Sequence, residues 1–176
     1  MREVFGVSLA RWLPLVVLFA VASPAAAANR WWFGGGIGLS FGDVDYVSIE
    51  PAIGYVPVDK VTIGTRLIYR HRDDDRFDPS VSSTDYGASL FGRYFVAPAV
   101  FLQAEYEYLD YEFLRVDGST DRDGYGSWLA GVGYSRPISS GASFFVLGLY
   151  NFSYADDEPS PYSDRYVLRV GVGVAF

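Results

Sequence analysis

The stretch RYVLRVGVGVAF, residues 165–176, decides the fold. Its apolar residues fall at every second position. Tyr166, Leu168, Val170, Val172, Val174 and Phe176 share one face, and Arg165, Val167, Arg169, Gly171, Gly173 and Ala175 share the other. A period of two is the signature of a β-strand with two different environments on its faces. Here the bulky side chains lie together, while the opposite face mixes Gly with Arg. A strand of a soluble sandwich has no reason to place Gly and Arg opposite a continuous run of large apolar residues.

The same pattern recurs upstream. Segments of about ten residues alternate in polarity and are separated by turn residues. They predict eight strands, at 31–41, 46–56, 61–70, 85–95, 100–113, 125–135, 142–154 and 165–176. In 61–70, Val61, Ile63, Thr65, Leu67 and Tyr69 oppose Thr62, Gly64, Arg66, Ile68 and Arg70. In 100–113, Val100, Leu102, Ala104, Tyr106 and Tyr108 oppose Phe101, Gln103, Glu105 and Glu107. Segment 142–154 is apolar on both faces; Asn151 and Ser153 assign its odd face inward and Phe144, Val146, Tyr150 and Phe152 outward.

The connections alternate in length. Short ones occupy 57–60, 97–99 and 136–141, and longer polar ones occupy 71–84, 114–124 and 155–164. Only the first, 42–45, is short on the long side. Short turns on one side, long loops on the other and an even strand count predict an all-β fold, an eight-stranded antiparallel up-and-down transmembrane β-barrel over residues 29–176. In such a barrel the bulky face meets lipid. The Gly-rich face fills a lumen just wide enough for side chains.

Composition agrees. The chain has 14 Tyr, 13 Phe and 4 Trp among 176 residues, no Cys, and a net charge of −7. That many rings would overfill a small soluble core, but they have a place at membrane interfaces. Trp31, Phe33, Tyr55, Tyr94, Tyr134, Phe144 and Phe176 map to the short-turn end. Phe41, Tyr69, Tyr86, Tyr108, Tyr150, Phe152, Tyr154 and Tyr166 map to the long-loop end, with aliphatic residues between. The hydrophobic, aromatic-rich composition excludes a disordered chain. Negative charge excludes a nucleic-acid partner. Lack of Cys excludes a disulfide scaffold or zinc finger.

Residues 1–28 are expected to be a cleavable signal peptide. Arg2 and Arg11 precede the apolar run WLPLVVLFAVA (12–22), and Ala26-Ala27-Ala28 supplies small residues for cleavage. The run is too short to span a membrane as a helix.

With these features, the segments DYGASLFGRYF (85–95), FLQAEYEYLDYEF (101–113) and RYVLRVGVGVAF (165–176) resemble the small outer-membrane barrels of the OmpX/Ail and opacity-protein class. The resemblance implies a Gram-negative outer-membrane location and a monomer in contact with lipid and lipopolysaccharide. It also implies delivery by periplasmic chaperones to the barrel-assembly machinery. Tyr166, Leu168, Val170, Val172, Val174 and Phe176 would be the assembly signal. The short first loop departs from that class and argues against a protruding sheet.

The lumen face is expected to carry a charge network of Glu50, Arg66, Arg70, Asp85, Arg93, Glu105, Glu107, Arg165 and Arg169. Charges withdrawn from water must be paired. A structural envelope role with a filled lumen follows. The alternatives are a narrow porin-like path for ions or small solutes, and surface adhesion or ligand binding through acidic loops.

No enzyme, cofactor or dedicated metal site is expected. The single His, His71, lies near Ser80, Ser82 and Ser83 at a strand–loop border, which is poor positioning for a nucleophile and its base. Gly34-Gly35-Gly36-Ile37-Gly38 is followed by a strand, not by the helix a phosphate loop needs. Asp117 to Gly124 lacks the spacing and final Glu of an EF-hand.

Overall fold

The computed structural model describes residues 30–40, 44–74, 81–114, 119–155, 160–162 and 164–175. Residues 1–28, expected to be a signal peptide, and Phe41 and Phe176 lie outside the described residues. Eight strands form one closed antiparallel barrel in sequence order. They are β1 (Trp31–Ser40), β2 (Val44–Tyr55), β3 (Val61–Asp74), β4 (Val81–Phe95), β5 (Val100–Leu114), β6 (Thr120–Ser139), β7 (Ala142–Asn151) and β8 (Tyr166–Ala175). Closure runs through β1 and β8, with Trp32 opposite Ala175 and Leu39 opposite Leu168. A closed barrel leaves no strand edge, so each strand has ladder partners on both sides.

The barrel is inside out. Leu67, Leu90, Trp128 and Ile63 are 62%, 67%, 61% and 52% exposed, whereas Arg70, Asp85 and Glu107 are fully buried. Water on the outside would make such an apolar wall an aggregation surface. Lipid on the outside makes it the favoured face. The exposed rings sit in cross-strand pairs. Trp31 meets Tyr55 at 5.1 Å at the turn end, and Tyr69 meets Tyr86 at 5.5 Å toward the loop end. Tyr106 and Trp128 form a further outward pair at 4.8 Å, which the sequence zoning does not include. Tyr154 differs from its expected belt position. It is partly buried against the core, with Arg165 over its ring.

In β7, Phe145, Leu147, Leu149 and Asn151 are buried and Phe144 is exposed, the orientation that Asn151 suggests. On β8, Tyr166, Leu168 and Val172 face outward.

Several boundaries differ from the sequence expectation: β6 runs through the expected turn 136–141 to Ser139, β7 ends at Asn151 instead of 154, and the loop-end strands are longer. The polar connections 71–84 and 114–124 are mostly strand. The β3–β4 ladder continues through His71↔Thr84 to Asp74↔Val81, and β5–β6 through Asp110↔Gly124 to Leu114↔Thr120. β3 to β6 therefore extend past the outward tyrosines as two hairpins, with β2 still paired to β3 up to Val44↔Asp74. The reason is that alternation persists inside the polar run. Arg72, Ser83, Asp85 and Tyr111 still point inward and are buried. Arg72 ties three strands together. Its Nε donates to Asp85 at 3.1 Å and its Nη2 to the Glu112 carbonyl.

Glycines on the inner face make room for the rings opposite. A Cβ on Gly133 would enter the Phe101 ring, and one on Gly64 would lie 2.6 Å from Phe91 Cζ. At the turns, Gly141 has φ 87° and Lys60 φ 69°, the left-handed region that favours Gly.

A Cβ on outward Gly92 would meet nothing within 4 Å. Gly133→Ala should therefore cost about 1–3 kcal/mol through overpacking, while Gly92→Ala should stay within about 0.5 kcal/mol. Equilibrium unfolding in urea from phospholipid vesicles checks the contrast.

Candidate functional site: the charged lumen

Each lumen charge is delivered by strand alternation. β2 points Ser48 and Glu50 inward, β3 points Arg66, Arg70 and Arg72, β4 points Asp85 and Arg93, β5 points Gln103, Glu105 and Glu107, and β8 points Arg169. Of the ion-paired partners only Glu50 and Arg66 come from neighbouring strands, offset by two on the β2–β3 ladder; the others lie on strands that are not paired. They meet because the barrel is narrow.

Arg169 is the hub. Its Nε lies 2.8 Å from Glu50, its Nη1 2.8 Å from Glu105 and its Nη2 2.6 Å from Glu107. One guanidinium thus engages carboxylates from β2 and β5. Arg66 completes the middle layer. It reaches both Glu105 oxygens, at 3.0 and 2.9 Å, and lies 3.6 Å from Glu50. Ser48 donates to Glu50 at 2.6 Å, and Gln103 donates to Glu105 at 2.9 Å. The Arg66–Glu105, Arg169–Glu105 and Arg169–Glu107 contacts are charge-assisted hydrogen bonds, Arg169 Nε and Glu50 form an ion pair, and no side chain in the cluster is more than 3% exposed.

Below this layer, toward the turns, the lumen closes on an aromatic floor. The Arg93 guanidinium lies 4.2 Å from the Phe101 ring centre and 5.2 Å from those of Trp32 and Phe145. Its polar partner is Gln103 Oε1, at 3.1 and 3.0 Å. Rings replace a carboxylate as the charge's main surroundings, a cation–π arrangement.

Above the middle layer, Arg70 lies 3.6 Å from Glu107 and is sandwiched between Tyr46 and Tyr162, at 4.1 and 4.7 Å. Still higher, Arg72 holds Asp85. Tyr111 packs against Tyr125 at 6.2 Å. Burial raises the Tyr111 phenol pKa, and Asp123 adds to the rise.

The structure brings Glu50, Arg66, Glu105, Glu107 and Arg169 into one network, with Arg70 at its edge. It separates the other expected members. Asp85 belongs to Arg72, Arg93 to the aromatic floor, and Arg165 sits half-buried at the rim, donating to the outward Tyr150 at 3.3 Å. The Arg165 carbonyl still accepts from the Asn151 N–H at 2.7 Å, but its guanidinium lies at the rim over the Tyr154 ring and does not join the central network. Sequence reasoning put Ser48 and Gln103 on the inner face without assigning them to the network, and missed Arg72, Tyr46 and Tyr162. Arg72 was legible in principle, since it continues the inward series Arg66, Ile68, Arg70.

His71 is exposed. Its Nε2 lies 3.8 Å from Asp73, and Ser82 donates to that same carboxylate at 2.5 Å. Among the described residues, no group of three or more His, Cys, Asp or Glu is placed to hold a metal ion.

A narrow eight-stranded barrel, apolar outside and charged inside, defines the outer-membrane β-barrel class of folds. No protein-family model matches the sequence, and no curated protein matches it significantly. Solved structures do match. The N-terminal β-barrel domain of Pseudomonas aeruginosa OprF aligns with TM-score 0.58 and 14% identity, over 84% of this chain and 98% of that one. Yersinia pestis outer membrane protein Ail aligns with TM-score 0.55 and 12% identity, over 84% and 99%. Neisserial surface protein A aligns with TM-score 0.54 and 14% identity, over 84% and 95%. At these identities the likeness is one of fold.

Arg169→Met leaves three buried carboxylates short of a partner, which should cost about 3–5 kcal/mol. Arg122, exposed on β6 and paired with Asp110 at 2.6 Å, provides the control. Arg122→Ala should cost about 1 kcal/mol or less. Urea unfolding in vesicles, followed by the mobility shift between unboiled and boiled samples, reads both.

Proposed function

We propose that this chain is an integral outer-membrane protein of a Gram-negative envelope, with a structural role and a lumen closed by its own side chains. The observation that carries the proposal is Arg169 spanning the lumen to Glu50, Glu105 and Glu107, above a floor of Trp32, Phe101 and Phe145. Paired charges and packed rings fill the interior of an eight-stranded barrel instead of a water column. The outward apolar wall supports a lipid neighbour, and the described outward residues of β8 suit recognition by the barrel-assembly machinery. Export by residues 1–28, contact with lipopolysaccharide and a monomeric, non-enzymatic state belong to the same proposal.

The two raised hairpins favour a second reading, in which the protein also binds at the cell surface. Their outer faces expose Asp73, Ser82, Asp110 and Asp123 to solvent, with Ser82 donating to Asp73 and Arg122 paired to Asp110. Replacing 74–81 by a two-residue turn leaves Arg72 and Asp85 in place. Surface binding predicts loss of adhesion with a barrel that still folds.

The main reading is tested by single-channel recording of the refolded protein in planar bilayers. A closed lumen predicts a quiet baseline from protein that shows the heat-dependent mobility shift. Discrete conductance steps from the unsubstituted barrel would overturn it in favour of the porin-like alternative.

A further inference from the structure

Tyr162 has an unusual position. It belongs to the connection between β7 and β8, beyond the last ladder pair, Tyr150↔Tyr166. Yet it is only 2% exposed, as buried as the strand residues of the lumen. Its phenol donates to Glu107 and accepts from Arg70 Nη2 at 3.4 Å. Its ring stands edge-on to Tyr46 at 6.3 Å and tilted to Tyr125 at 6.4 Å. The backbone N–H of Tyr162 bonds within its own segment, to Ser160. The side chain thus sits in the barrel mouth the way a ligand sits in a pocket, held by a ring stack and two polar anchors rather than by sheet pairing.

The chamber it fills is not fully satisfied by it. Arg70 Nε and Nη1 and the Tyr46 hydroxyl have no hydrogen-bond partner among the described residues. Arg70 is fully buried, and its one carboxylate contact, Glu107, is 3.6 Å away. Glu107 is already taken by Arg169 at 2.6 Å. Arg70 is therefore a guanidinium with two spare donors, Nε and Nη1, beside the Nη2 that donates to Tyr162. Withdrawal of the ring would hydrate those donors. The closed and open arrangements then differ less in free energy than the burial of a large ring alone suggests.

We propose that Tyr162 is a removable plug, and that the chamber beneath it is a site for small anions reaching the barrel from the loop end. The site rests on reading the chain as a membrane barrel with a filled lumen. Arg70 supplies the donors and the charge, Tyr46 and Tyr125 supply the walls, Glu107 at the base is neutralised by Arg169 at 2.6 Å, and the aromatic floor keeps the chamber blind toward the turns. Small oxyanions such as carboxylate, phosphate or sulfonate groups match the guanidinium fork.

The absence of Cys from the chain makes the test clean. Ser127 lies opposite Glu107 on the β5–β6 ladder and is 1% exposed. Ser127→Cys in bilayer nanodiscs should react slowly with membrane-impermeant methanethiosulfonate reagents. Adding Tyr162→Ala should speed the reaction by about tenfold or more, and Tyr162→Phe, which keeps the ring but loses both anchors, by an intermediate factor. The sulfonate reagent should react faster than the trimethylammonium reagent, inorganic phosphate should slow it, and Arg70→Gln should abolish the preference. Ser135→Cys, inward at the turn end, should be indifferent to Tyr162. Unchanged labelling in folded Tyr162 variants would overturn the plug. Equal rates for both reagents, or a preference for the cation, would overturn the anion site. Loss of folding in both Tyr162→Ala and Tyr162→Phe would make Tyr162 a fixed part of the core and also overturn the proposal. Failure of the unsubstituted barrel to show its mobility shift would instead fault the membrane-barrel reading beneath it.

Discussion

Arg169 meets three carboxylates because an eight-stranded barrel leaves its charges nowhere else to go. Once the apolar face is committed to lipid, the other face of every strand is committed to a lumen roughly two side chains across. A charge there loses bulk water and must find a partner on a facing wall. That requirement fixes which residues are tolerated. Arg66 and Arg169 alternate with Glu50, Glu105 and Glu107 around one level, and Ser48 and Gln103 take up remaining carboxylate lone pairs. Replacing one partner alone strands the others, so the network behaves as a unit.

The rest of the lumen follows the same constraint with different chemistry. At the turn end no carboxylate among the described residues pairs with Arg93, and rings surround its guanidinium. Those rings fit because Gly64, Gly133, Gly171 and Gly173 face them. A Gly in a strand interior weakens β-structure by itself, so here close approach outweighs propensity. At the loop end the strands outrun the outward tyrosines, and Arg72 with Asp85 continues the pairing rule upward. The mouth is then filled by Tyr162, a residue of the connection rather than of the wall.

Much of this was legible from alternation. The period of two in 165–176 and its repeats assigned inward and outward faces, and Asn151 settled β7 where both faces are apolar. Pairing was not legible. Arg66 and Glu105 are 39 residues apart and Arg169 and Glu105 are 64, and strand register alone brings them together. The strand ends at 71–74 and 120–124 were obscured because HRDD and TDRDG are dense in charge, which suits a loop equally well. Only the burial of Arg72 and Tyr111 separates the two cases. Tyr162 gave a fainter signal, a single ring between Pro161 and Ser163 in an otherwise acidic connection. A lone aromatic in a polar loop is often a surface residue, and nothing local says that it turns inward.

The central claim is that Arg169 and its carboxylates act together across the lumen. A double-mutant cycle of Arg169→Met and Glu105→Gln, read as unfolding free energy in lipid vesicles, tests it most directly. A bridging network predicts a coupling energy of about 1–3 kcal/mol, with the double variant more stable than the sum of the single effects allows. Additive effects, with coupling near zero, would show that the two residues do not interact and would contradict the account.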